Sequence, residues 1–476
     1  MEVTRDKALK ITDEVFENAL THAMKTFDEV SPLKPKQKEA IRAFVEGNDV
    51  FVVLPTGYGK SRIFFFLPLV YDFATNVKNT IIIISPLKYL IEEQLNLVTQ
   101  KNLGAINLTQ YNPNMSISHI SYVFTTPETL LSSKNTILLN KVFRNQLIGF
   151  IVDEAHCVLN WGDSFRIEFG HLKKAFLKCK DVHKMSLTAT ASSTAIEEIG
   201  KKLQLTKFKK IVLREGRNNI KIITQPSSKI NPFLNTLLKE LIKKKNETEK
   251  TIIFCSTLDI VTNVYQFFMY YSNPTYHCFV DQFMSCTDEP TKKKIVNDFK
   301  NLNSTIRILI ATNSFGMGVN SPGVTRIIHI FPPRSLDDYV QQIGRAGREG
   351  QPSSATIFFH LKKIDEAEEI KVRNWMTKEL REFLASSECK QELIAKYYNL
   401  DYASQSRCCS NCEGEEIYED EEDDDEWMDF DPENNEGDLN EEEEDDDEAE
   451  EEENDEEMEK NVDDYDEFDD EFGDDF

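Results

Sequence analysis

Between residues 413 and 476 the chain has a single basic side chain, Lys460, against 41 of its 83 acidic ones. A stretch so charged and so poor in apolar groups cannot bury enough surface to fold alone, and it reads as a disordered acidic tail. Long apolar runs are missing as well. The greasiest stretch, "IFFFLPLVYDFA", is too short to span a bilayer, and the opening "MEVTRDKALKITDEVFENAL" lacks the apolar core of a signal peptide. Both observations argue against secretion and membrane insertion. Cysteine is sparse: nine in 476 residues, six of them isolated, which speaks for reduced intracellular thiols and against a disulfide framework. Only the cluster "CCSNC" asks for another explanation.

What is present changes character at residue 412. Residues 1–412 hold 54 of the 55 bases and 42 acids, a basic body whose natural partner is nucleic acid. The tail's few aromatics, Trp427, Phe430, Tyr465, Phe468, Phe472 and Phe476, are candidate contacts for basic proteins. Short β-rich runs, "NDVFVVL", "NTIIIIS", "SYVFTT", "LIGFIVD" and "KMSLTAT", alternate with helical patterns such as "LKYLIEEQLNLVTQ". That alternation predicts a parallel α/β domain over residues 1–205. The pattern restarts with "KTIIFCS", "YHCFV", "IRILIAT", "TRIIHIF" and "ATIFFH". The polar "QLTKFKKIVLREGRNN" is the expected linker, and 206–360 the linker and second domain. Residues 361–412 read as a helical segment ending at the cysteines.

"VVLPTGYGKS" passes from a strand through a glycine-containing turn into a helical stretch, the context a phosphate-binding loop needs. Pro55, Thr56, Gly57, Tyr58 and Gly59 form the cradle, in which Gly57 and Gly59 let the backbone bend and point its N–H groups at phosphate oxygens. Lys60 reaches the β and γ phosphates, and Ser61 can hold Mg²⁺. Leu54 stands where the usual eight-residue pattern begins with glycine. Roughly ninety residues on, "IGFIVDEAH" delivers Asp153 and Glu154 at the end of a buried strand, where open α/β sheets bind ligands. Asp153 can hold Mg²⁺ through water and Glu154 can orient or deprotonate the attacking water, the two jobs of phosphoryl transfer.

With both sites in place the chain resembles a superfamily 2 helicase, and "HCVLNWGDSFRIEF" narrows the resemblance to the RecQ family of DNA helicases, over residues 30–412. The resemblance implies two tandem RecA-like parallel-sheet domains. "LKPKQKEAI" is similar to the adenine-reading segment, with Gln37 as the reader and Leu33 and Lys34 where Phe-Arg is usual. "SPLKYLIEEQ" and "TTPE" resemble strand-binding motifs, and "LTATA", with Thr188 and Thr190, the segment that couples nucleotide to nucleic acid. Trp161, Phe165 and Phe169 stand where the family stacks unpaired bases, with Arg166 beside them. "REGRNNI" (Arg217, Asn219) and "IIFCST" (Ser256, Thr257, toward DNA phosphates) resemble second-domain motifs. So does "ATNSFGMGVNSPGVTRIIH", with Gly316, Met317, Gly318 and Asn320. "DDYVQQIGRAGREG" supplies Gln341 and the γ-phosphate-sensing Arg345 and Arg348.

"ECKQELIAKYYNL...CCSNC" resembles the family's zinc-binding segment. Cys389, Cys409 and Cys412 fit it, and the fourth ligand is either Glu415, at the expected spacing, or the adjacent Cys408. The tail leaves no room for the winged-helix and C-terminal accessory domains of many relatives, so their strand-separating hairpin is expected to be absent. The resemblance implies an ATP- and Mg²⁺-dependent 3′–5′ DNA helicase, holding Zn²⁺, acting on single-stranded and tailed duplex DNA in nuclear repair or recombination, expected as a monomer. Two alternatives stand beside it. One is an RNA-directed helicase of the same superfamily; the other is a scaffold with a vestigial motor whose acidic tail recruits basic proteins.

Overall fold

The computed structural model describes residues 8–112, 114–132, 146–160, 171–177, 179, 182–205, 207–214, 216–284, 286–312, 315, 321–360, 376–400 and 408–414. All of them belong to one compact unit, Met1–Phe430. Trp161, Phe165, Arg166, Phe169, Gly316, Met317, Gly318, Asn320, Glu415 and the acidic tail beyond it lie outside the described residues.

Thirteen strands among the described residues form two wholly parallel sheets. The first has seven, β1 (Val50–Val53), β2 (Thr80–Ile84), β3 (Gly104–Asn107), β4 (Ile120–Thr125), β5 (Leu147–Val152), β6 (His183–Thr188) and β7 (Lys209–Val212), in the order β3-β4-β2-β5-β6-β1-β7. The second has six, β8 (Ile220–Pro226), β9 (Lys250–Cys255), β10 (Val280–Phe283), β11 (Ile308–Ala311), β12 (Val324–Ile330) and β13 (Ser353–Phe359), in the order β10-β11-β9-β12-β13-β8. Apolar runs without polar alternation are what a sheet covered on both faces requires. Successive residues of one strand therefore enter different cores. Val50, Val52, Ile81 and Ile83 join one cluster, while Phe51, Val53, Ile82 and Ile84 join the other. The second sheet repeats the scheme, with Ile252 and Phe254 on one side and Ile253 and Cys255 on the other. Each such side chain contributes roughly 1.5–3 kcal/mol on burial. The two α/β domains are thus lobes of RecA-like type.

Two segments depart from expectation. Lys209–Val212, placed in the linker, pairs in parallel with β1 as the edge strand of the first sheet. "YHCFV" is mostly a 3-10 helix, Pro274–Phe279, with β10 beginning only at Val280. Asn273 caps that turn by accepting from Thr275 N at 3.1 Å, and such local side-chain capping competes with strand formation.

Residues 376–400 and 408–412 do not stand apart. Their helices Lys378–Ala385 and Lys390–Tyr398 place Leu380, Phe383, Leu384, Ile394 and Tyr398 in the same core as Ile220, Leu336 and Tyr339 of the second lobe. Ile222 N donates to Cys408 O at 3.1 Å, and Cys409 forms a parallel bridge to Ile222. The exposed edge of β8 is covered in this way, which removes a template for unwanted strand pairing. Among the described residues no helix is long and apolar enough to cross a membrane.

Candidate nucleotide and coupling site

Three neighbouring strands, β5, β6 and β1, end on one side of the first sheet and deliver three loops there. After β1 the chain turns through Gly57 and Gly59, at φ 83° and 89°. Only glycine takes that geometry freely, and a Cβ on Gly59 would lie 2.6 Å from Gln37 Nε2. The helix Lys60–Thr75 starts immediately, so its unpaired N-terminal amides and the loop make a site for an anion. Ser61 is its second residue. Lys60 Nζ donates to Leu54 O at 3.2 Å, which holds the ammonium within the loop. Burial draws the Lys60 pKa below the ordinary lysine value, against the pull of Glu154 and Asp153.

Gln37 is fully buried, and it straps the loop from beneath. Its Nε2 donates to Tyr58 O at 3.0 Å and Gly59 O at 2.8 Å, and its Oε1 accepts from Lys34 N at 2.8 Å. Both amide hydrogens are committed to the loop, leaving one lone pair of Oε1 for a ligand. Lys34 Nζ sits 4.4 Å from the centroid of the Tyr58 ring.

After β5, Asp153 N donates to Ile84 O and Ala155 N to Leu187 O, so the flanking strands β2 and β6 both grip the turn. That grip holds Glu154 at φ 49°, a conformation rare for a side chain of its kind and common at functional sites. Burial, then the charge of Glu154, pushes the Asp153 pKa up to about 7, with Lys60 acting the other way. Glu154 is 6% exposed, and its Oε2 has no hydrogen-bond partner among the described residues. A buried carboxylate oxygen without a hydrogen bond, its nearest basic neighbour being the His156 ring, suits a metal-bound or attacking water.

Sequence reasoning missed His156. Its Nδ1 lies 3.1 Å from Thr188 Oγ1 and 3.4 Å from Glu154 Oε2, and Thr188 Oγ1 donates to Thr190 O at 3.0 Å. One imidazole thus joins the acidic turn to "LTATA". Its place two residues after Glu154 was the available signal.

The second lobe supplies cations. Arg345 is 2% exposed, and its pKa is lowered by burial against the pull of Tyr89 and Glu154. Burial, then the charges of Arg345 and Arg217, draws Arg348 down, with Glu154 opposing. Guanidinium groups keep their proton under such stress, and buried like charges are costly, so the cluster is built to receive a polyanion. Gln341 is buried on the preceding helix, Leu336–Ile343. The arginine turn is held by Asn219, whose Nδ2 donates to Gly347 O at 2.8 Å and Gln351 O at 2.9 Å, and by Arg217 Nη2, which donates to Gly344 O at 3.3 Å. Ser256 and Thr257 are exposed after β9, and Thr257 Oγ1 accepts from Ile260 N at 3.3 Å as a helix cap.

Cys389, Cys408, Cys409 and Cys412 present sulfurs all within 4.8 Å of one another. Separations of 3.3 Å (Cys389–Cys408), 3.7 Å (Cys408–Cys412) and 3.6 Å (Cys409–Cys412) approach the roughly 3.8 Å edge of a tetrahedron with zinc–sulfur bonds of about 2.3 Å. Among the described residues these four thiols, Cys408 included, fit zinc.

Residues 34–199 match the DEAD/DEAH box helicase family, and residues 233–350 match the helicase conserved C-terminal domain. The chain is 32% identical over 345 residues to the ATP-dependent DNA helicase Q-like 4B of Arabidopsis thaliana, covering 68% of this chain and 28% of that protein. The chain belongs to the RecQ helicases. It is also 27% identical over 406 residues to the ATP-dependent helicase wrn-1 of Caenorhabditis elegans, covering 80% of this chain and 37% of the relative. It thus spans well under half the length of these RecQ relatives. The fold matches a solved structure of Mss116p bound to ssRNA and AMP-PNP with a TM-score of 0.61 at 18% identity, over 81% of this chain and 80% of that one. ATP and Mg²⁺ are what helicase domains of this kind use.

Proposed function

We propose that the protein is an ATP-dependent 3′–5′ DNA helicase of RecQ type that moves along single-stranded DNA, opens tailed duplexes, and acts in nuclear repair or recombination. The observation that carries this reading is that Lys60 and Glu154, beside Asp153 in the first lobe, lie within electrostatic reach of the buried Arg345 and Arg348 of the second. In this reading Pro55, Thr56, Gly57, Tyr58 and Gly59 cradle the phosphates and Lys60 neutralises their charge. Ser61 and Asp153 hold magnesium, which when bound supplies charge neutralisation on the phosphate oxygens. Glu154 orients water toward the γ phosphate, and Arg345 and Arg348 stabilise charge only when the lobes close. Gln37 couples base occupancy to the loop through its bonds to Tyr58 and Gly59. Hydrolysis opens the cleft, and Trp161, Phe165, Arg166 and Phe169, with Ser256 and Thr257, hold the strand.

The cysteines hold zinc and keep the last helices on the second lobe. Residues beyond Gly414 act as an electrostatic competitor for the basic body or as a landing site for basic proteins. Removing residues 415–476 then tightens DNA binding most at low salt, and equal affinities at every salt concentration would end that idea.

The test is ATP hydrolysis and strand separation on duplexes with a 3′ or a 5′ single-stranded tail, with Lys60→Ala as the control. Opening from the 3′ tail alone supports the reading. Stimulation by RNA and not by DNA moves it to RNA, and hydrolysis absent throughout leaves the scaffold reading.

A further inference from the structure

Four segments meet around one linker arginine. Arg214 lies between β7 and β8, on the crossing from one lobe to the other. Its Nη2 donates to Ala191 O at 2.9 Å, just after Thr190 of "LTATA" in the first lobe. Its Nη1 donates to Tyr398 O at 2.8 Å, the last residue of the helix Lys390–Tyr398, which Cys389 caps and the cysteine cluster holds. A helix C-terminus leaves carbonyls without partners and carries partial negative charge, so a guanidinium there satisfies both needs. The guanidinium carbon also sits 5.7 Å from the centroid of the Tyr398 ring.

Tyr398 carries the link onward. Its hydroxyl donates to Asp337 Oδ1 at 2.6 Å, and the Tyr397 hydroxyl donates to Oδ2 at 2.9 Å. Asp337 stands in the first turn of Leu336–Ile343, whose far end leads into Arg345 and Arg348. An uninterrupted set of bonded groups therefore runs from the coupling loop of the first lobe, through the linker and the cysteine-held helix, to the helix that precedes the arginine turn. The groups facing Asp337 and Arg214 are Tyr397, Tyr398 and His156. None of these hydrogen bonds is made to the phosphate loop, although Arg214, Ala191 and Tyr398 line one cavity with its Pro55 and Thr56, so they bear first on how the lobes close around it.

We propose that Arg214 is a positioning residue for ATP hydrolysis: by bridging Ala191 and Tyr398 it fixes, through Asp337, the approach of Arg345 and Arg348 to the nucleotide. The cysteine-held segment is on this view part of the motor's closing geometry as well as a stabiliser of the second lobe. The proposal rests on the helicase reading and is tested apart from it.

The experiment is steady-state ATP hydrolysis by the full chain with saturating single-stranded DNA, for the wild type, Arg214→Ala, Arg214→Lys and Tyr398→Phe, with melting temperatures alongside. Misplacing reacting groups by about 1 Å can cost up to a hundredfold, so Arg214→Ala is expected to lower kcat by roughly tenfold or more with KM for ATP nearly unchanged. Arg214→Lys, which keeps one donor, is expected to recover part of that loss. Tyr398→Phe, which keeps the carbonyl and ring and loses the bond to Asp337, is expected to lower kcat by a few fold with an unchanged melting temperature. An unchanged kcat in Arg214→Ala overturns the proposal, as does a loss of kcat tracking a fall in melting temperature that Tyr398→Phe fails to reproduce. A wild type without DNA-stimulated hydrolysis overturns the helicase reading itself.

Discussion

The two lobes share an architecture and differ in who positions their functional groups. In the first, the phosphate loop, the acidic turn and "LTATA" leave three adjacent strands, and the two that face the phosphates are held from within the lobe, the acidic turn by β2 and β6 and the phosphate loop by Gln37. In the second, the arginines sit beyond a short helix whose placement depends on residues from elsewhere. Asn219 and Arg217 hold the turn from the linker side, and Tyr397 and Tyr398 hold the helix start from the cysteine segment. The first lobe is pre-organised by its sheet, whereas the second is set by an external brace that can be perturbed without touching the catalytic groups.

The sharpest way to break that contrast is to remove a cysteine. Cys389→Ser is expected to destabilise the second lobe by about 4 kcal/mol, the scale for losing a structural ligand set. Hydrogen exchange should show β8 and the helix Lys390–Tyr398 opening while β1, β5 and β6 keep their protection. Equal loss in both lobes would dissolve the distinction.

Acidification discriminates more gently. His329 on β12 is fully buried, 2.8 Å from Gln342 Oε1 and stacked 5.4 Å from the Phe254 ring, and burial pushes its pKa down to about 4. The unfolded chain binds that proton near pH 6.5, so this contribution is present above pH 6.5 and is lost as pH falls toward 4. It amounts to about 3 kcal/mol. His329→Gln should flatten the fall in unfolding free energy over that window by a comparable amount, and an unaltered pH profile would contradict the assignment.

The smallest effect belongs to the first lobe. A Cβ on Gly149 of β5 would lie 2.3 Å from Cζ of the fully buried Phe44. Gly149→Ala should therefore cost about 1–3 kcal/mol in denaturant melts. A neutral result would mean that the core beneath the acidic turn is softer than its packing suggests.

Legibility in the sequence followed the same division. The strands buried on both faces, such as "VFVV" and "TIIII", were plain as apolar runs. Edge strands were not: β3 reads "GAIN", β7 begins with two exposed lysines, and β8 alternates buried and half-buried residues. The motif residues of the nucleotide site could be named because each motif is contiguous. Arg214, Asp337, Tyr397 and Tyr398 could not, since their meaning lies in contacts between segments up to 184 residues apart. The cysteine cluster was half legible. Spacing left Glu415 and Cys408 both open, and the packing of Cys408 and Cys409 against β8 is what brings Cys408 into the set.

On this reading the arginines of the second lobe meet the phosphates as hydrolysis proceeds, while nucleotide capture falls to the first lobe. Measuring ATP binding and DNA-stimulated hydrolysis together for Arg345→Ala tests it most directly. Hydrolysis is expected to fall by about a thousandfold, as for arginines that stabilise transition-state charge, with the dissociation constant for ATP changed by only a few fold. Binding that falls in step with hydrolysis, or hydrolysis that survives, would contradict it.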